Sequence, residues 1–497
     1  DRSRGLGDVY KRQYIKTMPK EFIVAIELGS SKMTGIAGQK NLDGSITVLA
    51  LVEEDSSSCI RKGVIYNIDK TCQSLTNIIN KLKTILKQDI SQVYVGVGGR
   101  SIKSVKNIIV KDLPTATIIT QEMINELMDI NRNMTYPDQE ILDAATQEYK
   151  IDNQYQIDPV GIQCNHLEGI FLNILWKKNF YNNIYACFEK ANIPIAEMYL
   201  APLAMADSVL TDSEKRAGCA LIDLGADTTT VSVYYKNILR HLSVIPLGGN
   251  NITKDLTCLQ IEEQEAEKMK LKYAKAYTDV KNIDPTLNYS IDKDRVVESK
   301  KFIEIVEARV EEIVENAWYQ VPIEFADKLL GGIIITGGGS NMPEIEKVFR
   351  NHTNTPKIRF AKFVTQTVKA KDAKINNHDG TMNTILGLLA KGDMNCSGDE
   401  ISNDLFTNNM ERPLAADSTP KVSRNPNETA GTGVVPTPAQ KREEELRKKK
   451  EEEERLAKIA EEEEKEREEK KRKENSFLHK GFRKLKDFFL DTISEEE

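Results

Sequence analysis

Two stretches of this sequence share one arrangement that constrains the fold more than any other feature: an apolar run, an acid, a glycine and then hydroxyl-bearing residues. The first is Ile26-Glu27-Leu28-Gly29-Ser30-Ser31-Lys32 and the second Leu221-Ile222-Asp223-Leu224-Gly225-Ala226-Asp227-Thr228-Thr229-Thr230. In each, the apolar run reads as a strand with an acid at its end, the glycine permits close backbone approach, and the hydroxyls offer donors to phosphate. Either loop alone reads more readily as an ordinary hairpin turn. As a pair facing each other, they could clamp a triphosphate.

Two further elements fit the same reading. Ile333-Ile334-Ile335-Thr336-Gly337-Gly338-Gly339-Ser340-Asn341-Met342 places three glycines between a buried strand and a helix expected to start near Pro343, exposing backbone to a flat adenine or sugar. Pro246-Leu247-Gly248-Gly249-Asn250 precedes a helical stretch and then Ala266-Glu267-Lys268-Met269-Lys270, whose Glu267 and Lys270 could bond ribose hydroxyls. No G-x-x-x-x-G-K-[ST] is present, so this is not a P-loop chain. Val95-Gly96-Val97-Gly98-Gly99 lacks the glycine spacing of a dinucleotide fingerprint.

From Glu21 to about Lys391, β-rich runs alternate with helical periodicity, the mark of α/β layers. Strands are expected at Phe22 to Ile26, Ile46 to Glu53, Val93 to Val97, Cys219 to Asp223, Thr229 to Tyr235 and Gly332 to Thr336. Helices are expected at Lys70 to Lys87, Asn179 to Ala191, Pro202 to Leu210, Ile252 to Leu259, Ile261 to Tyr273 and Ser299 to Glu315. The chain has 497 residues, enough for three to four folding units, and a net charge of −7, which gives no general attraction to nucleic acid. Its seven cysteines lie far apart without C-x-x-C spacing, which fits reduced thiols, and five scattered histidines leave a zinc site unsupported.

The ends differ in kind from the middle. Residues 1–17 read as a non-native or disordered leader ahead of Met18, without the apolar core of a signal peptide, and no run of about eighteen apolar residues is present. After Lys391, residues 392–440 are polar and rich in Asn, Asp, Pro, Thr and Gly, as in a disordered linker. Residues 441–474 are blocks of Glu, Lys and Arg suited to a solvated helical stalk, roughly 50 Å long at about 1.5 Å per residue if fully helical. A coiled coil is less favoured, because sustained apolar heptads are missing.

Residues 475–497 form a different pattern. Leu478, Phe482, Leu485, Phe489 and Ile493 share one helical face, with Phe477 and Phe488 beside it, and Lys480, Arg483, Lys484 and Lys486 lie around the rest. Such a helix suits an anionic bilayer interface, or it docks on the folded body or in a partner's groove. Its separation from the folded region by linker and stalk favours the bilayer.

Taken in order, these motifs resemble the superfamily of actin, heat-shock chaperones and sugar kinases, and within it the FtsA family, over about Pro19 to Lys391. The FtsA-like stretches also include Tyr199-Leu200-Ala201-Pro202-Leu203-Ala204, Ile245 to Asp255 and Glu307-Ala308-Arg309-Val310-Glu311-Glu312. The resemblance implies an α/β, two-lobed actin-like (ribonuclease-H-like) ATPase fold with an inserted FtsA-type subdomain. Its expected parts are residues 18–99 and 181–215 for lobe 1, 100–180 for the insert, and 216–391 for lobe 2 with its subdomain 254–319.

By the same resemblance, ATP and Mg²⁺ occupy the cleft. Gly29, Ser30, Ser31 and Lys32 would hold phosphate, with Gly225, Thr228, Gly248, Gly249 and Asn250 adding contacts and Asp223 positioning Mg²⁺ through water. Glu267 and Lys270 would hold the ribose, and Gly337, Gly338, Gly339 and Met342 the adenine side. Glu27 stands where actin has Asp. Ala201 stands where hydrolysing relatives carry Glu, so ATP is expected to act mainly as a conformational ligand with slow hydrolysis.

The resemblance also implies a membrane-bound, self-associating filament on the inner face of the cell membrane at the division septum. It would capture the C-terminal peptide of FtsZ and recruit other divisome proteins. Lys300, Lys301 and Arg309 could receive the acidic peptide, although solvated helix faces explain them equally well. A soluble ATPase or kinase of the same fold, or a pilus-assembly actin-like protein, is the alternative.

Overall fold

In the computed structural model, residues 21–397 are described apart from 280, 282, 283, 285 and 354, followed by 427, 430–450, 453, 455–457 and 467. The leader and the terminal segment 475–497 lie outside the described residues. The chain divides into two units after Pro436.

The first lobe is built on a sheet whose central strand, Ile23–Leu28, is almost wholly apolar because it is covered on both faces. It pairs antiparallel with Lys32–Lys40, which pairs with Ile46–Asp55, and on its other side parallel with Val93–Val97 and then Ile195–Leu200. Two short strands, Val368–Lys369 and Val434–Val435, close the two edges. Helix Ile68–Leu86 starts at Asn67, whose side chain accepts from the Lys70 amide, and buries Leu75, Ile78 and Leu82 against the sheet. The fit is close: a Cβ on Gly35 would stand 2.3 Å from Ile78 Cγ2. Helix Asn383–Lys391 packs on the same sheet, where a Cβ at Gly96 would lie 2.3 Å from Leu388 Cδ1. That close approach explains the glycine at position 96 without a dinucleotide.

The second lobe repeats the plan. Cys219–Leu224 pairs antiparallel with Thr229–Tyr235, then Ile238–Ile245, and on its other side parallel with Gly332–Thr336 and Ile358–Phe360. Helices Gly249–Leu256, Glu263–Tyr273 and Ser299–Tyr319 cover it, the last burying Phe302, Val306, Val310 and Val314.

The insert comprises Lys103–Ile118, helix Gln121–Arg132, Gln139–Ile151, Gln154–Gln156 and Gln163–Lys177, with its own small core around Leu127, Leu167 and Phe171. Inserted in sequence into the first lobe, it joins the sheet of the second, where Ser243 pairs with Lys103.

The span 392–440, expected to be unstructured, contains ordered pieces at both ends. Asp393 accepts from the Tyr94 hydroxyl, Cys396 is fully buried, Val434–Val435 adds to the sheet and a helix runs over 438–450. Composition hides these because only two or three side chains in each piece are buried. The helix is opened by Thr437 and Gln440, each side chain bonding the other's amide, a capping-box arrangement. Within the expected stalk, Lys448 and Glu444 pair at 3.0 Å one turn apart. All seven cysteines are free, six of them buried.

Candidate nucleotide-binding site

The two acid-glycine loops have the same construction. Leu28 pairs with Met33 and Leu224 with Thr229, so each turn closes over four residues, and Glu27 faces Thr34 as Asp223 faces Thr230. Glycine is required in both: a Cβ at Gly29 would stand 2.5 Å from the Lys32 carbonyl oxygen, and one at Gly225 2.8 Å from that of Thr228. The loops line one cleft of about 610 Å³, together with Gly248, Gly249, Asn250, Glu267, Lys270, Gly337, Gly338, Gly339 and Met342. Every residue expected in the nucleotide site lines this cleft.

Glu27 and Asp223 end their strands at its floor. Both keep part of their surface open to the cleft, with dense protein on the remaining sides. Burial raises the Glu27 carboxyl to about 7, and the neighbouring Asp223 charge adds to the rise. Burial alone raises Asp223 to about 6. Two carboxylates converging beneath hydroxyl-bearing turns form a hard oxygen donor set that a divalent cation fits. Asp223 also abuts the glycine turn: Gly337 has φ +83°, and a Cβ there would lie 2.3 Å from Asp223 Oδ1. Gly339 is similarly pressed on Leu224, whereas a Cβ at Gly338 would meet nothing nearer than Thr381 Cγ2 at 3.8 Å. Gly338 is thus the member of the trio with room above it.

The remaining contacts are specific. Ser30 Oγ accepts from the Gly63 amide at 2.8 Å, and Ser56 Oγ donates to the Gly29 carbonyl at 2.7 Å. Lys32 is paired with Glu53, which also pairs with Lys374. Asp227 accepts from the Lys62 amide at 2.9 Å and from Asn250 Nδ2 at 2.8 Å, bridging the lobes. Lys270 Nζ reaches Glu267 at 2.7 Å and the Gly249 carbonyl at 3.1 Å, and Thr253 Oγ1 donates to Glu267. The expected ribose pair is therefore held rigidly under the glycine turn. Sequence reasoning missed Ser56, Thr381 and Thr384, single hydroxyl residues on loops or a helix start with no motif around them.

The expected peptide-binding cations lie elsewhere. Arg309 is held by Asp255 and Glu312, and its larger role is to tie helix Ser299–Tyr319 to Gly249–Leu256. Lys301 pairs with Glu298 at 3.1 Å and Lys300 with Glu304 at 3.9 Å, both remaining largely exposed. His352, scattered in sequence, comes within 3.3 Å of both Glu311 and Glu315 on the outer face of the second lobe. Among the described residues, no helix is long and apolar enough to cross a membrane.

Two lobes of matching topology, mirrored acid-glycine hairpins and an inserted subdomain define an actin-like protein. Residues 220–379 match the family described as cell division protein FtsA, and residues 99–175 match the SHS2 domain inserted in that family. A cell division protein FtsA of Porphyromonas gingivalis is 33% identical over 64% of this chain and 68% of its own length. One from Neisseria meningitidis is 31% identical over 66% of this chain and 82% of its own. The solved structure of a PilM-PilN type IV pilus biogenesis complex covers 75% of this chain and 98% of that one with a TM-score of 0.52 at 12% identity, a likeness of fold alone. The chain belongs to the FtsA family of cell division proteins.

Proposed function

We propose that this chain binds ATP with Mg²⁺ in the cleft, assembles into filaments with copies of itself, and anchors the FtsZ ring to the inner face of the cytoplasmic membrane at the septum while recruiting divisome proteins. The observation that carries the nucleotide reading is the pair of hairpins, identical in register, that present Glu27 and Asp223 to one cavity. In this reading Gly29 to Lys32 and Gly225 to Thr228 surround the phosphates, Asp223 positions the cation through water, Glu267 and Lys270 take the ribose, and Gly337 to Gly339 with Met342 flank the adenine. The cation supplies charge to offset the phosphates and the two acids.

ATP acts chiefly as a conformational ligand. Helix Ala201–Val209 contributes no residue to the cleft lining, and its acid, Asp207, is paired with Lys215 and Lys391. A carboxylate that orients an attacking water is therefore missing from that side. Self-association is supported by the exposed Ile108, Val110 and Ile118 along one strand of the insert. The FtsZ peptide would meet the subdomain 254–319 through Lys300 and Lys301, with Arg309 contributing only its unpaired donors. The membrane contact is assigned to Phe477, Leu478, Phe482, Leu485, Phe488, Phe489 and Ile493 with their flanking Lys480, Arg483, Lys484 and Lys486.

Co-sedimentation with anionic liposomes in the presence of ATP tests the anchoring. The full chain is expected to pellet with lipid, and a chain ending at Glu474 or carrying Phe482→Glu to stay in solution. Equal behaviour of all three would make the terminal segment a docking helix and remove the membrane from the proposal.

A further inference from the structure

The sheet of the first lobe would end at Ile195–Leu200, an open edge with unpaired amides and carbonyls, were it not covered by Val434–Val435. The covering segment comes from a region whose composition resembles a linker, and it is held by more than strand pairing. The Leu200 amide donates to the Gly433 carbonyl at 2.7 Å. Asp143, 1% exposed, accepts from the Gly431 amide at 3.1 Å through Oδ1 and from the Gly433 amide at 2.9 Å through Oδ2. Arg132 stands 3.9 Å from the same carboxylate. At the far end the buried Tyr181 hydroxyl donates to the Pro436 carbonyl at 2.6 Å, and Val435, 1% exposed, enters the core.

These contacts come from two parts of the molecule. Asp143 and Arg132 belong to the inserted subdomain, whereas Tyr181, Leu200 and Leu203 belong to the first lobe. Gly431–Pro436 therefore lies along the seam between them and bonds to both. Its sequence is matched to the seam. Gly431 and Gly433 have φ of +74° and +82°, and a Cβ at Gly433 would stand 3.0 Å from Leu203 Cβ. A buried carboxylate is an efficient receptor for a pair of alternate backbone amides, because each charge-assisted bond is stronger than a neutral one. Strand addition with alternate side-chain pockets is a general mode of peptide capture.

We propose that the edge of Ile195–Leu200 and the Asp143 carboxylate form a peptide-docking site for an extended Gly-x-Gly-β-branched segment, and that its occupant is the chain's own Gly431–Pro436. The docked segment is a strap that fixes the inserted subdomain against the first lobe. Because receptor and strap share one chain, the strap meets its site at an effective concentration of order millimolar, so modest intrinsic affinity keeps it docked.

Hydrogen exchange on the full chain tests this. In the wild type, amides at Gly433–Val435 are expected to exchange at least about tenfold more slowly than in a free peptide of residues 427–437, and those at Met198–Leu200 at least about tenfold more slowly than their unstructured rate. Gly433→Val forces a branched side chain into a left-handed backbone beside Leu203, and Asp143→Asn replaces half of the acceptor by a donor. Each should speed exchange in both segments by about tenfold while leaving Ile23–Leu28 protected, which separates undocking from unfolding. Adding the 427–437 peptide at millimolar concentration to the Gly433→Val chain should slow Met198–Leu200 again. Free-peptide exchange of the strap in the wild type would overturn the proposal. So would a peptide without effect on the Gly433→Val chain, because the strand would then be a fixed part of the fold rather than the occupant of a site.

Discussion

The hairpin around Gly29 and the hairpin around Gly225 share their register, their loop length and their closing glycine, and they differ in where their side chains reach. The first is tied to its own lobe: Ser30 to the Gly63 amide, Gly29 to Ser56, Lys32 to Glu53. The second reaches across, with Asp227 accepting from Lys62 of the first lobe and from Asn250 of its own. A duplicated scaffold has thus been specialised into one loop that is fixed and one that spans the opening. Of the two, only the second bonds across the opening, and the first stands as a wall of its own lobe.

The largest effect is expected at the glycine turn against which the second hairpin's acid rests. Gly337→Ala adds a Cβ 2.3 Å from Asp223 Oδ1 and 2.6 Å from the Leu224 carbonyl, at φ +83°. Backbone strain of roughly 1–3 kcal/mol, together with displacement of Asp223, should lower ATP affinity by about a hundredfold and reduce Tm. Isothermal titration and a thermal melt measure both. Unchanged affinity would mean that the turn is only structural.

Next come the acids themselves. Asp223→Asn should weaken Mg²⁺-dependent ATP binding by about tenfold, and Glu27→Gln by less, because a cation reached through one acid makes the hairpins unequal. Equal losses would restore their symmetry. The acids also set a pH dependence. Both folded values, about 7 and about 6, lie above the ordinary carboxylate range. Between about pH 4 and pH 7 the folded chain therefore holds protons that the unfolded chain has released, and stability without nucleotide should fall as pH rises through that window. Below it both states are protonated and the effect vanishes. Melts of the double variant Glu27→Gln, Asp223→Asn should show a flatter pH profile over this range.

A smaller effect is expected at Gly338, the glycine with space above it. Gly338→Ala meets only Thr381 Cγ2, at 3.8 Å, so Tm should stay within about a degree while ATP affinity drops a few-fold. A Tm loss equal to that of Gly337→Ala would show that the trio acts as one structural turn.

How far the sequence announced this architecture follows from the same contrast. Val93–Val97, Thr229–Tyr235 and Gly332–Thr336 are legible because their apolar runs are buried on both faces and bounded by turn residues. Lys103–Ile118 is not, since it is rich in lysine and leaves Ile108 and Val110 exposed; it is a strand because Gln163–Lys177 pairs along nearly its whole length. The site glycines were legible through spacing, whereas Thr381 and Thr384 reach the cleft only through tertiary packing, and Ser56 supports it from beneath through the Gly29 carbonyl. Arg309 shows what a sequence pattern leaves open. A cation on a helix says nothing about its partner, and here Asp255, 54 positions away, already holds it.

The smallest effect, and the sharpest on the comparison, is expected for Lys32→Ala. The resemblance to FtsA assigns Lys32 to phosphate, but its ammonium is paired with Glu53, and its side chain is 36% exposed. Glu53 keeps Lys374 when Lys32 is removed, so no buried acid is stranded and stability should change by less than about 0.5 kcal/mol. ATP affinity should fall by less than about threefold, since an ammonium must leave one carboxylate to serve a phosphate and gains little from the exchange. Lys270 differs in kind: also paired with a carboxylate, Glu267, but only 10% exposed and fixed beneath Gly249, it is assigned to neutral ribose hydroxyls and need not leave its acid to meet them. Lys270→Ala should therefore exceed Lys32→Ala in lost affinity. If Lys32→Ala instead abolishes binding, Lys32 swings from Glu53 to phosphate when nucleotide enters, and the first hairpin is a responsive element rather than a stationary wall.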